Sequence, residues 1–99
     1  MAITQPAYIA LPYNTKSSLN LSASTVVKAS RGSIAKVSVL TAGSAAGAIH
    51  DCATTGAAAA ANKVATIPNT VGVYSFEFPC FNGITYVVGT GQVVSVTYA

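Results

Sequence analysis

The chain has 99 residues, of which 7% are charged: five are lysine or arginine and two are aspartate or glutamate. An ordinary soluble domain carries roughly 25% charged residues, which keep its surface hydrated and separate from other proteins. The length allows a single domain with a small core, and the composition excludes a densely charged surface. We therefore expect much of the surface to face other protein, in an oligomer or a lattice. A neutral surface solvated by Ser and Thr hydroxyls is the alternative.

The basic residues and the apolar segments bear on two further classes of partner. The five basic residues are scattered, without a run or interleaved aromatic residues, so we predict no nucleic-acid partner. No stretch of about 18 uninterrupted apolar residues exists, which predicts no membrane partner. The N-terminal sequence MAITQPAY lacks the basic and apolar regions of a signal peptide. We expect a soluble product made in the cytoplasm.

Residues 1–16 predict an extended N-terminal arm, followed by one β-sandwich domain at 17–99. Pro6 and Pro12 exclude a helix interior or a central strand in the arm. Two interpretations are open: the arm folds back over its own core, or it crosses to a neighbour. In the second case the large apolar side chains of the arm are candidate contacts with another protein, namely Ile3, Tyr8, Ile9, Leu11 and Tyr13.

Short runs with period-two alternation begin after the arm. Three strands are predicted before residue 42, at 19–23, 24–29 and 33–41, with a turn at 30–32. In the longest of them, Ala35, Val37 and Val39 share one face, which we expect to line the core. The opposite face mixes apolar and polar residues, as in a face half-buried against a neighbouring subunit.

The centre of the chain is rich in small residues. Residues 42–47 are predicted to form a loop, and 48–52 a short strand. Residues 57–63 begin with five alanines, which favour a helix but are too few to form one without tertiary support. One helical turn and a loop crossing between sheets are both consistent with this segment. A strand at 64–67 then ends at a Pro–Asn turn.

The stretch 73–82 reads VYSFEFPCFN, and its alternation predicts a strand that lines the core. Large apolar side chains fall on one face of this strand, namely Tyr74, Phe76, Phe78 and Cys80. We expect the other strands to pack against that face.

The last seventeen residues predict a closing hairpin. Segments 83–91 and 92–99 are its two arms, and Gly89, Thr90 and Gly91 supply the turn. About eight short strands, separated by turns of Gly, Pro, Asn and Ser, predict an all-β fold. We expect an antiparallel β-sandwich or jelly-roll-like domain.

The two cysteines, Cys52 and Cys80, lie 28 positions apart, which excludes a CxxC redox or zinc pattern. Their flanking sequences are typical of strand ends, so the two side chains are predicted to meet as a core thiol pair. A disulfide in oxidising surroundings is the alternative, and it would stabilise the fold by roughly 3 to 4 kcal/mol.

No cluster of residue types predicts a reaction. His50 and Cys52 could share a strand face as a thiol–imidazole pair, but nothing supplies an orienting group or oxyanion donors. We interpret His50 as a surface or interface residue. The two acids, Asp51 and Glu77, are predicted to form ion pairs with basic side chains or a neighbouring subunit rather than a two-carboxylate site. We predict no catalytic, cofactor or metal site.

Three sequence segments, at 25–56, 67–80 and 87–98, resemble those of small structural proteins of tailed bacteriophages and prophages, of the head-fibre or capsid-decoration type. The resemblance implies a non-enzymatic, homotrimeric β-sandwich that binds the major capsid protein on the capsid surface of the virion. The arm would then be the capsid anchor or a strand-exchange element. The alternative function is a host-surface adhesin or glycan-binding knob, with Tyr8, Tyr13 and Tyr98 as a stacking platform.

Overall fold

The structure is a computed structural model that describes residues 16–99. That part of the chain forms β1 (Lys16–Leu21), β2 (Thr25–Lys28), β3 (Gly32–Thr41), β4 (Gly47–His50), β5 (Lys63–Ile67), β6 (Gly72–Ser75), β7 (Pro79–Cys80), β8 (Ile84–Val87) and β9 (Val93–Tyr98). All pairs are antiparallel, and the strands form two packed sheets. The all-β sandwich prediction is confirmed.

The strand order is that of a double-sheet jelly roll. Sheet one has the order β1-β9-β3-β6, with the two-residue β7 also paired to β3, and sheet two has the order β2-β8-β4-β5. The pairs are nested around the β4–β5 hairpin: β3 pairs with β6, β2 with β8, and β1 with β9. Most connections therefore pass from one sheet to the other across the ends of the sandwich.

The core lies between the two sheets and follows the alternation of the longest strands. Val37 and Val39 of β3 are buried, which confirms the predicted core face. Ile34 is buried as well, although it was predicted on the opposite face. The reason is a register shift against β9, where Ile34 is level with Tyr98 but Lys36 with Thr97, so one extra residue reverses the alternation.

The predicted closing hairpin is wrong, because β8 belongs to sheet two and β9 to sheet one. The turn itself is present: Gly91 has a φ of 77°, and the amide of Gln92 donates to the carbonyl of Gly89 at 2.8 Å. The turn thus carries the chain across the end of the sandwich. Glycine in a short connection indicates a turn, but it does not indicate which strands the turn joins.

The predicted aromatic strand at 73–82 is interrupted. β6 ends at Ser75, β7 begins at Pro79, and Glu77 between them has a φ of 52°. This left-handed residue ends the alternation, so Phe78 lies on the exposed surface instead of the core. The side chains before the break, Tyr74 and Phe76, pack against the core as predicted.

The alanine-rich segment forms two 3₁₀ helices, Thr55–Ala57 and Ala60–Asn62. This agrees with the helical-turn interpretation, and it excludes a crossing between sheets, because β4 and β5 are both in sheet two. The segment lies over the outer face of sheet two, where the Thr85 hydroxyl donates to the Cys52 carbonyl at 2.8 Å. Thr85 is fully buried as a result.

Three loops meet at one end of the sandwich. The Asn69 side chain bonds to both backbone groups of Gly43, and the Ser44 amide donates to the Thr90 carbonyl at 2.8 Å. These bonds join the loop after β3, the turn before β6 and the turn before β9. Gly43 has no room for a side chain, since an added Cβ would lie 2.6 Å from the Gln92 nitrogen.

Replacing Gly43 with alanine is expected to lower the free energy of unfolding by about 1 to 2 kcal/mol, because the new methyl group would force the loop backbones apart. Gly56→Ala is the matched control, since an added Cβ there meets nothing within 4 Å. Urea unfolding of both variants measures the difference. Equal stability of the two variants would contradict the close packing of these loops.

Candidate interaction surfaces

The outer faces of the two sheets differ in how they are covered. Segment 51–62 lies over sheet two, whereas the outer face of sheet one exposes large apolar side chains. Val73 of β6 is 67% exposed and is level with Ser38 of β3. Leu40 near the end of β3 is 49% exposed, and Val71 directly before β6 is 62% exposed. We call the exposed group of Leu40, Val71 and Val73 the valine face.

The valine face adjoins one edge of sheet one, where β6 is the last strand in the described range 16–99. We call this edge the open edge. The amide of Phe76 donates to the carbonyl of Ala35 at 3.2 Å, which places the even-numbered residues of this segment in the hydrogen-bonded pairs with β3. The backbone groups of Val73 and Ser75 therefore point to the open edge. Within residues 16–99 these backbone groups of Val73 have no strand partner, so Val73 presents an exposed apolar side chain and free hydrogen-bonding groups at the same place.

Exposed aromatic side chains also lie near β7, toward the opposite end of the sandwich. Phe78 is exposed, Phe81 is 60% exposed, and the Arg31 guanidinium lies over the Phe81 ring at 5.1 Å from its centroid. We call the group of Arg31, Phe78 and Phe81 the aromatic end. Arg31 belongs to the predicted turn between β2 and β3, and the two phenylalanines flank β7.

Asp51 holds the loop that carries Phe81. Its carboxylate accepts hydrogen bonds from the backbone amides of Phe81 at 3.0 Å, Asn82 at 2.7 Å and Gly83 at 3.3 Å. Burial by itself raises the pKa of Asp51, but the three amide bonds outweigh it, and the pKa lies below its usual value. The bonds seen for Asp51 are thus to backbone amides rather than the predicted ion pair.

His50 is a structural histidine. It is buried, and its Nδ1 lies 2.9 Å from both the Ala59 carbonyl and the Asn62 Oδ1. Both neighbours are acceptors, so Nδ1 carries the proton and donates. The interpretation of His50 as a surface or interface residue is wrong. Segment 51–62 folds over it, and that covering is a tertiary feature.

Cys52 does not use His50 as a base, because its thiol donates to the Thr54 carbonyl at 3.2 Å. Cys52 and Cys80 are both buried and both free. Burial, together with the nearby Asp51 and Cys52, raises the pKa of Cys80 to about 11. The Cys80 thiol therefore stays protonated at pH 8, and the thiolate is the reactive form.

We expect neither thiol to react with Ellman's reagent at pH 8 in the folded protein, and both to react at once in 6 M guanidinium chloride. The absorbance at 412 nm follows the reaction, and Cys80→Ser identifies the share of each thiol. Rapid reaction of the native chain would contradict the burial of the pair.

The predicted contacts of the N-terminal arm, Ile3, Tyr8, Ile9, Leu11 and Tyr13, lie outside the described residues. Tyr98 packs against the core, so it is not available for the predicted stacking platform. Within residues 16–99, no three His, Cys, Asp or Glu side chains are grouped closely enough to bind a metal ion. No helix in the same range has the length and hydropathy to cross a membrane.

Sequence reasoning missed both surfaces. The mixed face of the third predicted strand was the one signal for Leu40. Val71 and Val73 follow a turn and read like ordinary strand residues, and Phe81 lies within the stretch 73–82, which predicts a core strand. Their exposure depends on the break at Glu77 and on which sheet face stays uncovered.

No family model, curated protein or solved structure matches this chain. The resemblance to phage head proteins therefore stays a prediction.

Proposed function

We propose that this chain is a bacteriophage capsid-decoration protein, which binds the outer surface of the head and stabilises it. The observation that carries this proposal is the exposed apolar surface of a nearly uncharged domain. Single exposed apolar residues are ordinary, but grouped ones mark contact sites. With 7% charged residues, the chain has few side chains to keep those groups apart from other proteins.

The aromatic end is the surface that we assign to the major capsid protein. Phenylalanine is an efficient anchor because it buries a large area with two rotatable bonds, and the Arg31 guanidinium is already stacked on the Phe81 ring. Asp51 orders the loop of Phe81 before binding, so less conformational entropy is lost on docking. Binding there would add buried area between capsid subunits without any chemical step.

The jelly-roll order supports the proposal by analogy, since this architecture recurs in viral capsid and lectin domains. A fold does not determine a function, so the analogy alone decides nothing. The resemblance in sequence described above points to the same class of virion protein.

The proposal is tested in phage particles that encode the chain. We expect quantitative mass spectrometry of purified heads to find hundreds of copies, and Phe81→Ser to reduce this occupancy at least tenfold. Leu19→Ser is the matched control, because Leu19 is equally exposed on β1 but lies outside the aromatic end. A few copies per particle would instead favour the adhesin, and absence from heads would overturn the proposal.

A further inference from the structure

We propose that residues 1–15 of one copy of this chain add as a strand to the open edge of β6 in a second copy, beside the valine face. This inference adds to the proposed function the way in which copies of the chain associate. It rests on that function only for the location of the assembly on the capsid. Its physical basis is a match between the open edge of sheet one and the sequence of the segment.

The open edge of β6 offers both hydrogen bonds and an apolar surface. Val73 and Ser75 direct their N–H and C=O groups away from β3, and an unpaired edge of this kind accepts an added strand. A residue hydrogen-bonded opposite Val73 also places its side chain on the same face as Val73. The incoming strand would therefore extend the valine face with its own side chains.

The two prolines of residues 1–15 leave one of the two hydrogen-bonding edges of an extended segment with all of its N–H donors. In an extended chain, the backbone groups of odd and even residues point to opposite edges. Pro6 and Pro12 are both even, so the even edge lacks two N–H donors and suits only the outside of a sheet. The odd edge keeps every donor. Most of the large apolar side chains are odd as well, namely Ile3, Ile9, Leu11 and Tyr13.

The segment of the same copy fits this edge poorly. Lys16 begins β1 level with Tyr98, and the same end of sheet one holds Ser75 of β6. A segment leading into Lys16 would have to lie parallel to β6, in a molecule whose pairs are all antiparallel. It would also have to cross from the outer side of β6 back to β1, a distance of four strand spacings or roughly 19 Å. About six residues before Lys16 are needed for this crossing, so Leu11 and Tyr13 could not lie along the edge. A second copy has neither restriction.

If each copy gives one segment and accepts one, the exchange is either reciprocal in a two-fold dimer or head-to-tail in a closed ring, of which the predicted trimer is one form. We expect light scattering of the purified full-length chain to give a mass of two or more 9.9 kDa chains. Val73→Pro removes the N–H donor on the open edge without removing a hydrogen bond to β3, and we expect it to shift the mass to that of one chain. Leu11→Asp changes the donated segment instead of the accepting edge, and we expect it to give the mass of one chain as well.

Two matched controls keep the test specific. Val73→Thr retains the backbone donor, and Asn14→Asp adds the same charge at an even position, so both are expected to stay associated. Circular dichroism and thermal unfolding of each variant establish that the sandwich still folds. A monomeric parent chain, or association that survives both Val73→Pro and Leu11→Asp, would overturn the inference. A monomer that still decorates heads would overturn the strand-exchange inference but not the proposed function. An oligomer that is absent from heads would overturn the proposed function but not the inference.

Discussion

Replacing Gln92 with leucine is expected to lower the free energy of unfolding by about 3 kcal/mol. Gln92 is fully buried, and its Oε1 accepts a hydrogen bond from the Tyr86 hydroxyl at 3.0 Å. Its Nε2 donates to the Pro68 carbonyl at 3.1 Å. Leucine would leave the Tyr86 hydroxyl unpaired in the interior and the half-buried Pro68 carbonyl without its donor, and a buried group without a hydrogen bond is destabilising by about 1 to 3 kcal/mol.

A double-mutant cycle separates this polar bridge from general packing. Tyr86→Phe removes the hydroxyl, so in a chain that already carries Gln92→Leu it should cost about 1 kcal/mol less than it costs in the parent chain. Burial raises the pKa of Tyr86, and this effect exceeds the lowering of the pKa by a backbone hydrogen bond from Gly89. The Tyr86 hydroxyl therefore stays protonated and can donate at neutral pH. Urea unfolding of the four proteins gives the coupling energy. Strictly additive changes would show that the Tyr86–Gln92 bond contributes nothing.

Replacing Asp51 with alanine is expected to lower the free energy of unfolding by about 2 kcal/mol, because three backbone amides of residues 81–83 lose one shared acceptor. The effect should reach the aromatic end, since Phe81 is one of the donors. In heads, Asp51→Ala should therefore reduce occupancy like Phe81→Ser, although it leaves both phenylalanines in place.

The same contact predicts a dependence on pH. The pKa of Asp51 is lower in the folded state than its ordinary value of 3.8. Its stabilisation is therefore complete well above pH 3.8 and is lost as the pH falls below that value, because protonation then favours the unfolded chain. Asp51→Asn cannot titrate at this position. We expect the difference in unfolding free energy between the parent and Asp51→Asn to shrink between pH 6 and pH 3, and a constant difference would contradict the assignment.

The candidate surfaces show where prediction from sequence stops. Alternation reports which residues of a strand share a face, and for Val37 and Val39 that was enough to identify the core. It does not report whether the other face is covered. His50 and Val73 both belong to outward faces of their sheets, yet segment 51–62 covers the first and leaves the second exposed. Folding of a distant segment decides between these outcomes.

The sequence by itself determined the all-β class, the position of the longest strands and most of the turns, because alternation and turn chemistry act over a few neighbouring residues. Only the tertiary structure decided that β8 and β9 lie in different sheets, that the aromatic stretch breaks at Glu77, and that the valine face is open. These features depend on pairing between strands far apart in the chain, which no local pattern records. The physical reason is that the strand pairs of a jelly roll are nested in sequence around the β4–β5 hairpin. Each outer pair therefore joins two strands that are separated in the chain by all of the inner strands.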